Sequence, residues 1–537
     1  MSVKLYPYQE AAKDKIVATH RTLLAMDCGT GKTGCSLIAM EELMEQRVIR
    51  HPVLVLTLAT LKFQWQDEVM KFTESTVTVI DGTPVKRRAL YAMFRIDPTD
   101  YLVVNYETFV RDYDFYREQK WGALICDESS MLSSYKSKRS KAVKALAKGI
   151  PVRVGLTGTP LENGKAEALF SQFQVIDDSL LGSFWTFEKR YITRNPKGWI
   201  VGYRNLPKLH ETISPVTVRA RQTDPEVAQF LPSVRQLSPR VVDWDRAGKS
   251  LYKYIARGLT DLLDEAQEMF GSGWSGFDVA SIYGQGQSVF DPEEMEMRGE
   301  IMSRISALRM LCDHPYLLQH SADLFEQRIT DTGEILPGAG SAYAHLLKRH
   351  GLLEPVSKSP KLIAVVDYLR DFLAINDEHK AVVFSQHRGM LDILATCLRV
   401  EYGLVQFHGG MNARDKDYVK KEFEYDADVR LFLSSDAGGF GLNLQAANLL
   451  VNYDLPWSFG KKVQRDSRII RAGSRWPQVS IESFIMADSL EIRQHQALDY
   501  KSSVAGAILD GGATDKNGNV LTQTQSLRDI LQQILHV

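Results

Sequence analysis

The sequence predicts an α/β fold of more than one unit, and three observations carry the prediction. An apolar segment, "TLLAMD" at 22–27, stops at a glycine-rich turn and gives way to "KTGCSLIAMEELMEQ" (32–46), whose apolar residues recur at helical spacing. A second apolar strand, "WGALICDESS" (121–130), ends in two adjacent carboxylates. The second half returns to the same grammar, a strand followed by a helix, in "KAVVFSQHRGMLDIL" (380–394). At 537 residues the chain exceeds one hydrophobic core, and at ~100–200 residues per domain it divides into about three units.

Bulk composition narrows the function classes. An apolar fraction of 44% is ample for packed cores, while 65 Lys plus Arg almost cancel 66 Asp plus Glu, so any surface for a polyanion must be a local patch. The N-terminus "MSVKLYPYQEAAKDK" has no signal-type apolar core, and no apolar run approaches the ~18 residues of a membrane span. Cysteines at 28, 35, 126, 312 and 397, odd in number and without a Cys-x-x-Cys pair, fit neither a disulfide framework nor a zinc site. The expectation is a cytoplasmic chain with no membrane partner.

The first strand-to-helix turn has the residues of a phosphate loop. Without Cβ atoms, Gly29 and Gly31, flanking Thr30, let backbone N–H groups curl around a β-phosphate at the positive end of the following helix. Lys32 would reach the β- and γ-phosphates, and Thr33 would offer its hydroxyl to Mg²⁺. Met26 stands where the Gly-x-x-x-x-Gly-Lys-Thr pattern has its first glycine, and taken alone the stretch also suits a plain glycine-rich helix start. The strand at 121–127 would complete the site from a parallel neighbour: Asp127 ligates the metal, and Glu128 faces the attacking water as base.

Further stretches give the chain a specific resemblance. "GLTGTPLENG" (155–164), with Thr157, Gly158 and Thr159 at its core, resembles motif III of superfamily-two helicase-like ATPases. Within that superfamily the chain resembles the SWI/SNF-type translocases, in a compact form more like bacterial or viral members than chromatin remodellers. "LYPYQ" (5–9) resembles their Q motif, which implies that Gln9 hydrogen-bonds the adenine edge; "VLVLTLATLKFQWQDEVMKF" (53–72) resembles motif Ia and "VVNYET" (103–108) motif Ib. In the second half, "LRMLCDHPYLL" (308–318), "SPKLIAVVDYL" (359–369), the segment at 380–394 as motif IV, "LFLSSDAGGFGLNLQAANLLVNYDLPW" (431–457) as motif V and "VQRDSRIIRAGS" (463–474) as motif VI continue the match, with Ser474 in place of the closing Gln. The resemblance covers roughly residues 1–510.

It implies two tandem RecA-like lobes, mostly parallel sheets flanked by helices, with a helical insertion between them and a C-terminal helical brace. The expected divisions are a first lobe at 1–200, a helical insertion and linker at 201–355, a second lobe at 356–510, and a linker and helix at 511–537. It also implies ATP and Mg²⁺ as cofactors. Gln464, Arg468 and Arg471, at i, i+4 and i+7, are expected on one helix face, from which two guanidinium groups would reach the γ-phosphate across the cleft.

Ser129 to Leu161 contains no acidic residue but carries Lys136, Lys138, Arg139, Lys141, Lys144, Lys148 and Arg153, with 141, 144 and 148 on one helix face. Such a stripe suits a phosphate backbone, although charge runs are more often solvated faces. Lys461, Lys462 and Arg475 would extend it, and the resemblance adds Lys62 and Tyr106 in the first lobe and Ser434, Gly438 and Trp457 in the second as DNA contacts.

The segment "FGSGWSGFDVASIYGQGQ" (270–287), with Trp274, Phe277 and Tyr283, reads as a loop. The helix at 489–509 would pack back across the lobes, and the final helix would dock or bind a protein partner. The expected function is an ATP-driven translocase on double-stranded DNA, including forked or branched DNA, in the nucleoid or the cytoplasm of an infected host, with monomer as the default state. Two alternatives stay open: a strand-separating helicase on single-stranded DNA or RNA, and a nucleotide-gated DNA-binding module without motor activity.

Overall fold

The computed structural model describes residues 4–537 apart from 162–163, 195, 197–199, 271–291, 330–334, 337, 355, 357, 437–441, 472–473, 513–530, 533–534 and 536–537. Gly438, the loop aromatics Trp274, Phe277 and Tyr283, and most of the C-terminal linker and helix therefore lie outside the described residues.

The first lobe is a sheet of seven parallel strands: β1 (Arg21–Met26), β2 (Val53–Thr57), β3 (Val77–Val79), β4 (Tyr101–Asn105), β5 (Ala123–Asp127), β6 (Val152–Leu156) and β9 (Thr217–Ala220), in the order β3-β4-β2-β5-β6-β1-β9. A short antiparallel pair, β7 (Ile192–Arg194) and β8 (Ile200–Tyr203), stands apart. Val53–Thr57, Tyr101–Asn105 and Ala123–Asp127 are buried throughout, because helices cover both faces of a parallel sheet. That double burial is why these strands read as unbroken apolar runs in the sequence.

The second sheet joins β10 (Ser233–Gln236), β16 (Gln478–Met486), β15 (Leu449–Asn452), β12 (Ala381–Phe384), β14 (Val429–Ser434) and β13 (Gly403–Phe407) in that order, with β11 (Arg240–Val242) continuing along β16. All neighbours are again parallel. The expected boundary at 200 is thus displaced: β9 belongs to the first sheet, while β10 and β11, exposed strands of the connecting segment, pair with the second. The helical part proper runs from Arg246–Phe270 through Pro292–Asp313 and Pro315–Glu326 to Ala342–Arg349. Its core, with Ile255, Leu259, Ile305 and Leu308, is continuous with that of the second lobe through Leu362, Leu391 and Leu433.

The helix Leu490–Leu509 follows β16 and crosses between lobes. Leu490 is buried in the second-lobe core, whereas Val504, Ala505 and Ile508 are buried against Leu169, Leu206 and Leu209 of the first.

Candidate active site

Parallel strands expose their carboxyl ends on one edge, and there the sequence motifs meet. Asp27 follows β1, Asp127 closes β5, and Thr157 follows β6, with β5, β6 and β1 adjacent in the sheet. The turn after β1 holds Gly29 at φ 80° and Gly31 at φ 89°, conformations that favour glycine. Space demands glycine as well: a Cβ on Gly31 would sit 2.2 Å from Gln9 Nε2, and one on Gly29 2.9 Å from the Ile470 carbonyl oxygen. The helix Lys32–Glu45 starts at this cradle.

Lys32 Nζ donates to the carbonyls of Met26 (2.8 Å) and Asp27 (3.0 Å), and Thr30 Oγ1 to the Asp27 carbonyl at 2.7 Å. Gln9, expected on the adenine edge, hydrogen-bonds within the first lobe. Its Nε2 donates to the Thr30 carbonyl at 3.0 Å and its Oε1 accepts from Tyr6 N at 2.9 Å, so the amide clamps the loop to the first helix, Pro7–Thr19. Tyr8 Oη donates to the same Thr30 carbonyl at 3.1 Å, and burial pushes its phenol up to about 12.

Asp127 is held from three sides. Its Oδ2 accepts from Thr57 Oγ1 (2.7 Å) and Trp65 Nε1 (2.8 Å), and its Oδ1 from Glu128 N (3.0 Å). Of about four lone-pair sites on a carboxylate, one remains, enough for a metal ion or a water of its shell. Glu128 takes the left-handed conformation, φ 45°, which is costly for a residue with a Cβ and turns the chain sharply after the strand. Thr57 and Trp65 are positioning residues that the motif reading missed as such, because their bonds to Asp127 span 70 and 62 residues.

The second lobe contributes two guanidinium groups. Gln464 is buried on the helix Phe459–Asp466, which ends before Arg468, so the three residues do not share one helix face as expected. The chain turns instead, and Arg468 Nη1 (3.2 Å) and Arg471 Nη2 (3.1 Å) converge on the Leu442 carbonyl. Arg471 packs against Gly29 of the first lobe, where a Cβ would lie 3.1 Å from its Cγ. Burial, then the neighbouring Arg468 charge, push the Arg471 guanidinium down to about 10; burial also lowers Arg468, offset by Cys28 and Glu128. Among the described residues the polar contact of each arginine is the Leu442 carbonyl rather than a carboxylate, and the buried Arg471 Nε has no hydrogen-bond partner.

Several residues expected on DNA are used internally. Lys62 is buried, donating to the Ile80 carbonyl (3.1 Å) and to Asp81 Oδ1 (2.6 Å), and this ion pair holds the Asp81 carboxyl below its usual range. Tyr106 is fully buried, its hydroxyl 2.7 Å from the Asp127 carbonyl it donates to, and burial raises its phenol well above the ordinary value. Ser434 is buried and donates to the Ser435 carbonyl at 3.2 Å. Trp457 is half-buried, with the Arg309 guanidinium 5.2 Å from its ring.

The basic stripe narrows too. Arg139 pairs with Glu107 at 2.6 Å, Lys144 donates to Gln174, Arg153 is buried against the Val175 carbonyl, and Lys462 pairs with Asp466. Lys136, Lys138, Lys141, Lys148, Lys461 and Arg475 remain exposed.

Comparisons with known proteins place the chain in a family. The SNF2-related domain matches residues 11–317, and the helicase conserved C-terminal domain matches 364–473. The chain is 25% identical over 526 residues to the ATP-dependent helicase brm of Drosophila melanogaster, covering 95% of this chain and 29% of that protein. It is 24% identical over 532 residues to the putative ATP-dependent helicase/translocase YwqA of Bacillus subtilis, covering 98% of this chain and 50% of that one. It thus spans half or less of the length of these two relatives. Among solved structures, the Hef helicase domain of Pyrococcus furiosus aligns with a TM-score of 0.51 at 16% identity, over 91% of this chain and 96% of that chain, a likeness of fold. With two tandem RecA-like lobes and a match over more than half its length, the chain belongs to the SNF2-related domain family.

Proposed function

We propose that the chain is a DNA-dependent ATPase that moves along double-stranded DNA, remodelling protein–DNA complexes or forked and branched DNA. One observation carries the reading: Arg468, buried, and Arg471, half-buried, converge on one carbonyl with no ion pair among the described residues, and Arg471 lies against the glycine loop of the opposite lobe. Buried charge is costly unless paired, so two adjacent guanidiniums form a site that calls for a polyanion. A nucleoside triphosphate on Gly29–Thr33 would place its terminal phosphate there.

In this reading Lys32 would exchange the Met26 and Asp27 carbonyls for the phosphates, and Thr33 and Asp127 would hold Mg²⁺, whose charge would offset that of the phosphates. Glu128 accepts the proton of the attacking water, and Arg468 and Arg471 stabilise charge developing in the transition state. The site draws on both lobes, so turnover requires them together and links hydrolysis to their relative motion. Lys136, Lys138, Lys141 and Lys148 form the exposed track for a phosphate backbone. The relatives named as ATP-dependent helicases or translocases support this assignment.

The test is ATP turnover by the full chain with no nucleic acid, single-stranded DNA, duplex DNA and RNA, with Glu128→Gln as the blank. Strong stimulation by duplex, absent in the variant, supports the reading; preference for single strands moves it to strand separation, and turnover indifferent to nucleic acid overturns the DNA assignment. Reversing Lys136, Lys138 and Lys141 together to Glu is expected to weaken duplex binding uniformly across sequences and to reduce the salt slope of the binding constant by roughly 2–3. A binding titration against salt measures it.

A further inference from the structure

The helix Leu490–Leu509 grows out of the second lobe but ends on the first, beside the glycine loop. His210 Nδ1 lies 3.0 Å from the Ile508 carbonyl, and Asp510, just beyond the helix, faces β9. Arg219, on β9, donates from Nε to Asp510 Oδ1 at 2.8 Å. The same guanidinium donates from Nη1 to Asp27 Oδ1 and to the Ala25 carbonyl, both at 2.8 Å. Asp27 in turn accepts Gln222 N on its Oδ2 at 3.0 Å, while its carbonyl receives Lys32 Nζ and Thr30 Oγ1. Gln222 Nε2 reaches the Cys28 carbonyl at 3.0 Å.

We propose that Arg219 is a positioning residue for the nucleotide loop, and that Asp510 sets it, so that the end of the C-terminal helix completes the loop that binds phosphate. A planar guanidinium shared between two carboxylates has its orientation fixed by both. Without Asp510, Nε loses its acceptor, and Arg219 is held only through Nη1, by Asp27 and the Ala25 carbonyl, so the bond that supports the start of the loop loses its fixed orientation. The helix crosses between lobes, so its docking is reported directly to Lys32 through Asp27. This rests on the reading of Gly29–Thr33 as the nucleotide site, but the loop geometry itself can be measured without turnover.

Asp510→Asn and Asp510→Glu in the full chain, with the exposed Asp499→Asn on the same helix as control, test the proposal by two readouts. Amide hydrogen exchange over 27–34 without nucleotide is expected to quicken about tenfold in Asp510→Asn, the scale of one charge-assisted hydrogen bond, and to return toward wild type in Asp510→Glu. The KM for ATP is expected to rise by about as much, with kcat at saturating ATP and the DNA concentration for half-stimulation within about twofold. Wild-type exchange over 27–34, or a wild-type KM, in Asp510→Asn overturns the proposal. A wild-type chain that turns over no ATP would instead overturn the ATPase reading, and exchange alone would then decide whether Asp510 and Arg219 set the loop.

Discussion

Arg471→Ala is expected to lower kcat for ATP by about 10³-fold, with the nucleotide dissociation constant changed only a few-fold. The side chain is half-buried, its buried Nε lacks a partner among the described residues, and its Cγ sits against Gly29, so it faces the phosphate loop with binding capacity unspent. A group that meets charge developing on the transferred phosphate acts on the transition state, and its loss appears in kcat. Arg471→Lys keeps a charge but loses the planar fork, and is expected to recover little of the rate. Removing the side chain also relieves like-charge crowding with Arg468, so the thermal midpoint should not fall, which separates a chemical role from a structural one. Arg475→Ala, at an exposed position that reaches the Glu378 carbonyl and the Trp476 ring, serves as the near-neutral control. Steady-state kinetics with a separate nucleotide-binding titration decide the matter; a raised KM at unchanged kcat would reassign Arg471 to ground-state binding.

The largest stability effect is expected at Lys361. It is fully buried between Asp313 (3.3 Å) and Glu491 (2.6 Å), on helices from the insertion, the second lobe and the crossing helix. Two neighbouring bonds fix the cluster: the Asp313 carbonyl accepts from Tyr453 Oη at 2.8 Å, and Glu491 Oε2 from Met486 N at 2.8 Å. Lys361→Ala leaves two carboxylates buried without their cation, at a cost of ~3–5 kcal/mol. For a unit of this size that is a fall of about 10 °C in the second-lobe transition, measured by calorimetry. Lys361→Met/Glu491→Gln should recover part of the loss, because it removes charge from both sides. An unchanged midpoint in Lys361→Ala would show that these carboxylates find water or protonate without penalty.

Strand-to-turn-to-helix segments around Gly29–Thr33 and the paired acids at 127–128 were legible in the sequence because their signals are local: a buried run, a residue needing positive φ, a helix start. The order of such segments likewise fixed the two-lobed α/β fold. Where the boundaries fell was less legible, since β10 and β11 lie exposed and pair with a strand more than two hundred residues away.

Only the tertiary structure decided which cations are available to a partner. Lys62 and Tyr106 have the chemistry of DNA contacts, but Asp81 and the Asp127 carbonyl take their polar ends, and burial does the rest. Gln9, expected on the adenine edge, spends its amide on the glycine loop. Conversely, Arg219 carries no distinctive spacing in "VTVRARQTD", and its role exists only because the fold brings Asp27 and Asp510, 192 and 291 residues away, to its two sides. Periodicity reports which face of a strand or helix is buried; it holds no information on which polar groups meet once distant segments pack, and at this site those meetings set the charge and the geometry.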